Sequence, residues 1–220
     1  MSLGTEALSG RFITLEGGEG AGKSTQAKLL TAALARAGIG VVATREPGGA
    51  PAAELIRELL LKGEPGRWDG INEALLMVAA RRAHLTETIL PALARGDWVV
   101  CDRFADSTTA YQGHGAGVPV AVLTELHRLI AGDLKPDLTL LLDLPVEEGL
   151  ARAQARRGDE TRFEQKDIHF HKRVRRGFLA IAKAEPARCI VIDASRSIDD
   201  IHRAVLKVVE SKLGVSLNKK

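Results

Sequence analysis

Residues 11–25 run an apolar strand, Arg-Phe-Ile-Thr-Leu-Glu, directly into G-x-x-x-x-G-K-S and then into a helical pattern. This strand–loop–helix order is the context in which a glycine-rich loop cradles phosphates. Gly17, Gly18, Gly20 and Gly22 let the backbone turn its N–H groups around an anion, with Glu19 and Ala21 completing the loop. Lys23 is placed to reach the outer phosphates and the Ser24 hydroxyl to ligate Mg²⁺. Thr25 follows in the first turn of a helix expected over 23–37, whose positive N-terminal end points at the same anion. A chain carrying this element is constrained to an α/β architecture in which a strand end and a helix start face one ligand.

The rest of the sequence agrees with that constraint. Five short, nearly unbroken apolar runs, at 12–16, 40–44, 98–102, 138–143 and 189–193, read as strands buried on both faces of a parallel sheet. Helical stripes lie between them: Leu29, Leu30 and Leu34; Leu123, Leu126 and Ile130; Ile201, Val205 and Val208. The alternation predicts a five-stranded, doubly wound α/β fold flanked by helices, as one P-loop kinase domain over 1–220. Ligands of such sheets sit beyond the carboxyl ends of the strands. Those ends carry 16–25, Arg45-Glu-Pro, Asp102-Arg103 and Asp143. Residues 1–10 and 215–220 are expected to fray, and Gly63 and Gly66 bracket a surface break.

Composition excludes several classes. A net charge of +3 argues against a whole-surface nucleic-acid binder, and the basic residues cluster locally between 152 and 176. Cys101 and Cys189 are too few for a disulfide framework or a cysteine metal site, and read as buried thiols. No apolar run reaches the ~20 residues that span a bilayer. The first ten residues lack the basic start and apolar core of a signal peptide, so a cytoplasmic location without membrane contact is expected.

Asp102 ends an apolar strand where P-loop proteins keep the acid that organises Mg²⁺; the alternative is a structural contact with Arg103. Arg45, Arg57 and Arg103 are candidate ligands for a second phosphate, since arginine forks onto phosphate as lysine cannot. Spacing alone does not show that the three converge, and each could be a solvated surface residue.

Taken in order, the P-loop, Thr44-Arg-Glu-Pro-Gly-Gly49, Asp102-Arg-Phe104, Ala110-Tyr-Gln-Gly113 and Pro136-Asp-Leu-Thr-Leu140 resemble bacterial thymidylate kinase over nearly the whole chain. The resemblance implies transfer of a phosphoryl group from Mg-ATP to dTMP, within dTTP biosynthesis. It also implies that Arg45, Arg57 and Arg103 hold the dTMP phosphate and that Glu19 accepts from the sugar 3′-hydroxyl. Arg81 would donate to a thymine carbonyl, with Gln112 and Thr108 in the same base pocket. Tyr111 would pack on the deoxyribose and exclude a 2′-hydroxyl, unless it serves only as core. Met77 stands where the family often stacks an aromatic ring on thymine; it could cover the base or be ordinary helix core. Ala50 departs from the threonine that usually continues Arg-Glu-Pro-Gly-Gly.

Some members of the family carry an arginine in the P-loop where this chain has Gly20; the bacterial type with glycine supplies it from a lid. The lid here would be residues 152–164, with Arg156 or Arg157 reaching the transferred phosphoryl group and Arg162 close behind. A homodimer through helices flanking the sheet, including the apolar helix at 75–85, is implied in the same way. Two other readings are a kinase for another pyrimidine nucleoside monophosphate and a P-loop NTPase switch. The second would need an Asn-Lys-x-Asp guanine-reading motif in its GTPase form, and the sequence has none.

Overall fold

The computed structural model describes residues 9–64, 66–155 and 162–217. Its centre is a five-stranded parallel sheet in the order β2-β3-β1-β4-β5. The strands are β1 (Phe12–Glu16), β2 (Val41–Arg45), β3 (Trp98–Asp102), β4 (Leu138–Asp143) and β5 (Cys189–Asp193). Burial on both faces holds for the three inner strands and fails at the two edges, where β2 is only partly covered and Val191 of β5 is exposed. An edge strand has a neighbour on one side only, so helices cannot cover it fully.

Helices α1 (Lys23–Arg36) and α9 (Ile198–Leu213) cover one face. Their Leu30, Leu34, Ile201, Val205 and Val209 pack on Ile13, Leu15 and Leu140. Val208 packs partly buried on this core as the stripe predicts, and Val209 beside it, fully buried, widens the apolar face of α9. Between β2 and β3 run α2 (Pro51–Leu61), α3 (Gly70–His84), a wide π-type turn at Leu85–Ile89 and α4 (Leu90–Ala94). Then come α5 (Ala105–Thr108), a second π-type stretch at Thr109–Gly115, α6 (Val120–Ala131), α7 (Val146–Gln154) and α8 (Ile168–Ala184).

The ends are firmer than expected within the described residues. Gly10 donates its N–H to Leu93 O at 3.0 Å, and Leu217 is buried in the α1/α9 core with its N–H on Glu210 Oε1 at 2.7 Å. Among the described residues no helix is long and apolar enough to cross a membrane. Both cysteines are buried free thiols.

Register is what builds the site. Arg45 pairs with Asp102, and Asp102 with Leu15, so the ends of β2, β3 and β1 lie side by side. β2 therefore runs one residue further than the sequence pattern predicts and delivers Arg45 beside the metal-site candidate.

Candidate active site

Beyond these strand ends lies a cleft of about 380 Å³. One wall is the P-loop, in which Gly17, Gly20 and Gly22 adopt φ of 138°, 68° and 86°. These left-handed values are open to glycine and strained for other residues. Gly20 is confined further: a Cβ there would lie 2.0 Å from Gly149 O on α7. The loop is thus packed against α7 with no room for a side chain at the position where other P-loops of this kind carry arginine. Gly22 closes the loop and starts α1, and with Lys23 and Ser24 of its first turn it lines the cleft.

Lys23 is buried and donates to Gly18 O at 2.7 Å. Burial, together with the Arg103 cation, pulls its ammonium down to about 8 despite Glu19 and Asp102 nearby. Ser24 Oγ donates to Asp102 Oδ2 at 2.5 Å, at the mouth of the cleft. The described residues hold no cluster of three acidic, histidine or cysteine ligands. Two hard oxygens beside a phosphate cradle are the donor set Mg²⁺ uses when substrate phosphates supply its remaining ligands.

Arg103 is the hub between the two halves of the cleft. Its backbone sits at φ 72°, the only described non-glycine residue with positive φ. Its Nη1 donates to Gly17 O and Ser107 Oγ, and its Nη2 to Glu19 Oε1 at 3.1 Å and Tyr111 Oη at 3.0 Å. Tyr111 Oη donates to the same Glu19 oxygen at 2.7 Å. Burial would push the Glu19 carboxyl up, but Arg103, Lys23 and the Tyr111 hydroxyl outweigh it and hold it at about 2. Burial raises the Tyr111 phenol well above its ordinary range, so it stays a neutral donor. Tyr111 lines the cleft and is core as well: its ring packs edge-on against Phe163, Phe170 and Phe178. Close packing of the π-type stretch on α8 needs Gly115 and Gly177, where a Cβ would come within 2.7 Å of Phe170 and His114 respectively.

Arg45 and Arg57 reach the same cleft from β2 and α2. Arg45 is half-exposed and forks onto Glu54 at 3.1 Å; Arg57 Nη1 donates to Pro47 O at 2.6 Å. Glu54 Oε1 also accepts from Gly49 N at 2.9 Å. Ala50 precedes α2 without a side-chain cap, and Pro51 begins the helix. The departure from threonine thus leaves the turn held by Glu54.

At the far end, Arg81 is buried, with Nε on Glu46 Oε2 at 2.7 Å and Nη2 on Thr108 Oγ1 at 2.9 Å. Its Nη1 has no partner among the described residues, and Arg81 lines the cleft. His84 and Thr44 extend this network through Glu46 Oε1 at 3.1 Å and the His84 ring at 2.7 Å. Met77 lines the cleft and packs with the Tyr111 cluster. Gln112 donates from Nε2 to Glu73 Oε2 at 3.0 Å.

The cleft therefore gathers Glu19, Gly20, Gly22, Lys23, Ser24 and Asp102 with the three phosphate-binding candidates Arg45, Arg57 and Arg103. Met77, Arg81, Thr108, Tyr111 and Gln112 line it as well. A model of the thymidylate kinase family matches residues 15–205. The chain belongs to the thymidylate kinase family. It is 53% identical over 206 residues to a thymidylate kinase of Caulobacter vibrioides, covering 94% of this chain and 99% of that one. Identity to a thymidylate kinase of Magnetococcus marinus is 51% over 209 residues, 95% of this chain and all of the other. The crystal structure of thymidylate kinase from Ehrlichia chaffeensis superposes with a TM-score of 0.74 at 38% identity, covering 91% of this chain and 99% of that one.

One expectation drawn from the thymidylate kinase resemblance is corrected. Arg162 is not at the phosphates: it is fully buried, with Nε on Leu60 O at 2.8 Å and Nη1 and Nη2 on Glu73 Oε1 at 2.8 and 2.7 Å. The cause is Glu73, a carboxylate buried on α3 that needs a cation beside it. Arg156 and Arg157 lie outside the described residues. Asp143, at the end of β4, is engaged by Arg175 at 2.7 and 2.8 Å and is no part of the cleft. Sequence reading missed Glu46 and Glu73 as site builders. Glu73 had a signal: it stands four residues before Met77 and eight before Arg81 on the same helix.

Proposed function

We propose that this kinase transfers the γ-phosphoryl group of ATP to the 5′-phosphate of dTMP, giving ADP and dTDP for dTTP synthesis in the cytoplasm. The observation that carries the reading is a single cleft in which a P-loop faces Arg45, Arg57 and Arg103, with Arg81 and Gln112 beyond them. The P-loop N–H groups, Lys23 and the start of α1 hold the donor phosphates. Ser24 and Asp102 would hold Mg²⁺, which would supply charge neutralisation to the donor phosphates. Arg45, Arg57 and Arg103 align the acceptor phosphate, which is most of what phosphoryl transfer asks of a protein. Glu19, ionised beside Arg103, accepts from the 3′-hydroxyl. Tyr111 closes the space that a 2′-hydroxyl would need. Arg156 or Arg157 supplies the lid cation; Arg162 does not.

A homodimer fits the exposed apolar residues that cluster on adjacent helices: Leu55 and Leu59 of α2, Ile71 and Leu75 of α3, and Leu129 of α6. Sedimentation at micromolar concentration tests it, and a monomer would refute it. The activity is tested by ADP release over a panel of nucleoside monophosphates. dTMP should be turned over fastest, dUMP more slowly, and CMP scarcely. ATP hydrolysis without dTDP formation would point to an NTPase switch, and a preference for CMP to a different kinase.

A further inference from the structure

Gln112 presents a problem of direction. A glutamine amide can face either way, donating from its NH₂ or accepting at its oxygen. Here one neighbour settles the matter: Glu73 Oε2, 3.0 Å away, belongs to a carboxylate that only accepts, so the NH₂ must face it. Gln112 Oε1 then points elsewhere, is buried, and has no hydrogen-bond partner among the described residues. Gln112 is 1% exposed and lines the cleft. A buried carbonyl oxygen without a donor is unfavourable, so the site is built to receive an N–H.

Glu73 is held in this role from the other side. Its Oε1 takes both Nη1 and Nη2 of Arg162, and Lys166 Nζ stands 3.9 Å from the same oxygen. The pair is buried, with side chains 0% and 2% exposed. We propose that Glu73 is a positioning residue that fixes the Gln112 amide with its oxygen toward the ligand, and so selects pyrimidines bearing an N–H between two ring carbonyls. The inference rests on the dTMP reading above and adds a residue that does not touch the substrate. Arg81 Nη1 donating to a ring carbonyl and Gln112 Oε1 accepting from the adjacent N–H would together match the edge of thymine or uracil. Cytosine presents the opposite pattern at both atoms.

The arrangement makes an unusual prediction for Glu73→Gln. The introduced amide has one acceptor, and Arg162 claims it at the Oε1 position. The NH₂ of the new side chain then faces Gln112, whose amide must turn over and send its own NH₂ into the cleft. An N–H now meets the N–H of the base. Turnover of dTMP and dUMP should fall together, by about 10–100-fold in kcat/KM and mainly through KM, as expected for an unpaired buried donor. The KM for ATP should stay put, and dCMP turnover should not fall. Adding Arg162→Met frees the acceptor of the introduced amide to face Gln112 and should restore dTMP kcat/KM to within about threefold of the wild-type value.

A fold-matched comparison guards against simple unfolding. Replacing a buried ion pair with uncharged groups of similar volume is often tolerated. The double variants Glu73→Gln/Arg162→Met and Glu73→Leu/Arg162→Met both lack the buried charges, but only the first offers Gln112 an acceptor. With thermal melts as the control, the first should keep dTMP preference and the second lose it. Equal preference in the two double variants, or an intact preference in a folded Glu73→Gln, overturns the inference. A wild-type protein that forms dTDP normally while these variants behave alike refutes the role of Glu73 alone. A wild-type protein that does not act on dTMP removes the functional reading beneath it.

Discussion

Arg103 at the proposed phosphate end of the cleft, and Arg81 at the proposed base end with Arg162 buried behind it, are built on different terms. The Arg103 side chain is 16% exposed, sits on a left-handed backbone, and shares its donors among a carbonyl, two hydroxyls and one carboxylate. Arg81 and Arg162 are 2% and 0% exposed at the side chain, and each is paired with a buried carboxylate, Glu46 and Glu73. A phosphate site must release its ligand every turnover, and the cations proposed for it keep more exposure, 53% for the Arg45 side chain and 16% for that of Arg103. A base pocket reads shape and edge, and can be locked into the core. The phosphate end should therefore fail in activity before stability, and the base end in stability before activity.

The sharpest way to break that comparison is at Lys23. Lys23→Ala removes the P-loop cation proposed to face the donor phosphates, and losses on the order of 10³-fold or more in kcat are expected when such charge is removed. Because the ammonium is desolvated, with its pKa pulled down to about 8, the fold should not suffer. Steady-state kinetics and a thermal melt check both halves; a large drop in Tm would mean that the phosphate end is structural after all. The same lowered pKa gives a sign for pH. Since Lys23 acts when protonated, kcat/KM for ATP should decline as pH rises through about 8.

Glu46→Ala probes the opposite end. It strands the buried Arg81 guanidinium and takes one partner from His84. Removing one member of a buried pair costs about 3–5 kcal/mol, so urea unfolding should move to a much lower midpoint. A variant of near-wild-type stability would show that Arg81 finds water, and that the base end is as loosely held as the phosphate end.

These two ends are also unequally legible in the sequence. The phosphate end is written locally: glycines at fixed spacing, Lys23, Ser24 and a strand-terminal Asp102 need no knowledge of the rest of the chain. The sheet is legible too, because five apolar runs of strand length admit little else, with edge exposure and one-residue shifts as the errors. Convergence of Arg45 with Asp102 depends on register, which an isolated strand does not carry. The base end depends on contacts between residues 27 to 89 apart, such as Arg81 with Thr108 and Arg162 with Glu73. A buried Glu in a helix looks like a surface Glu until its partner is known. That is why the resemblance sets Arg162 close behind Arg156 and Arg157, while the fold buries it against Glu73.

Beneath the cleft, Glu16 tests whether the floor belongs to either end. Its carboxylate accepts from Phe104 N at 2.7 Å and Ser107 Oγ at 2.5 Å. Burial, with Asp106 nearby, pushes it from its ordinary 4.5 up to about 8, against the pull of Ser107 and Arg103. A folded-state pKa above the unfolded one means the native protein holds the extra proton between those values. Its stabilising contribution is then full below about 4.5 and lost as pH rises toward 8. Glu16→Gln, which mimics the protonated acid, should flatten that decline by on the order of a few kcal/mol between pH 5 and 8. Parallel profiles for the two proteins would place the charge of Glu16 in balance with Arg103.

The smallest effect expected is at Tyr111, where the two ends meet. Its ring packs among three phenylalanines while its hydroxyl donates to Glu19 and accepts from Arg103. Tyr111→Phe removes the hydroxyl and keeps the ring. Glu19 retains Arg103 at 3.1 Å, so it stays ionised and able to accept from a sugar hydroxyl. The loss in kcat/KM for dTMP should be that of one hydrogen bond to a charged group, about tenfold, with ribothymidine monophosphate still refused because the ring still fills the space. Tyr111→Ala should instead admit the ribonucleotide. If Phe and Ala relax the discrimination equally, the hydroxyl rather than the ring does the excluding, and Tyr111 belongs to the phosphate end alone.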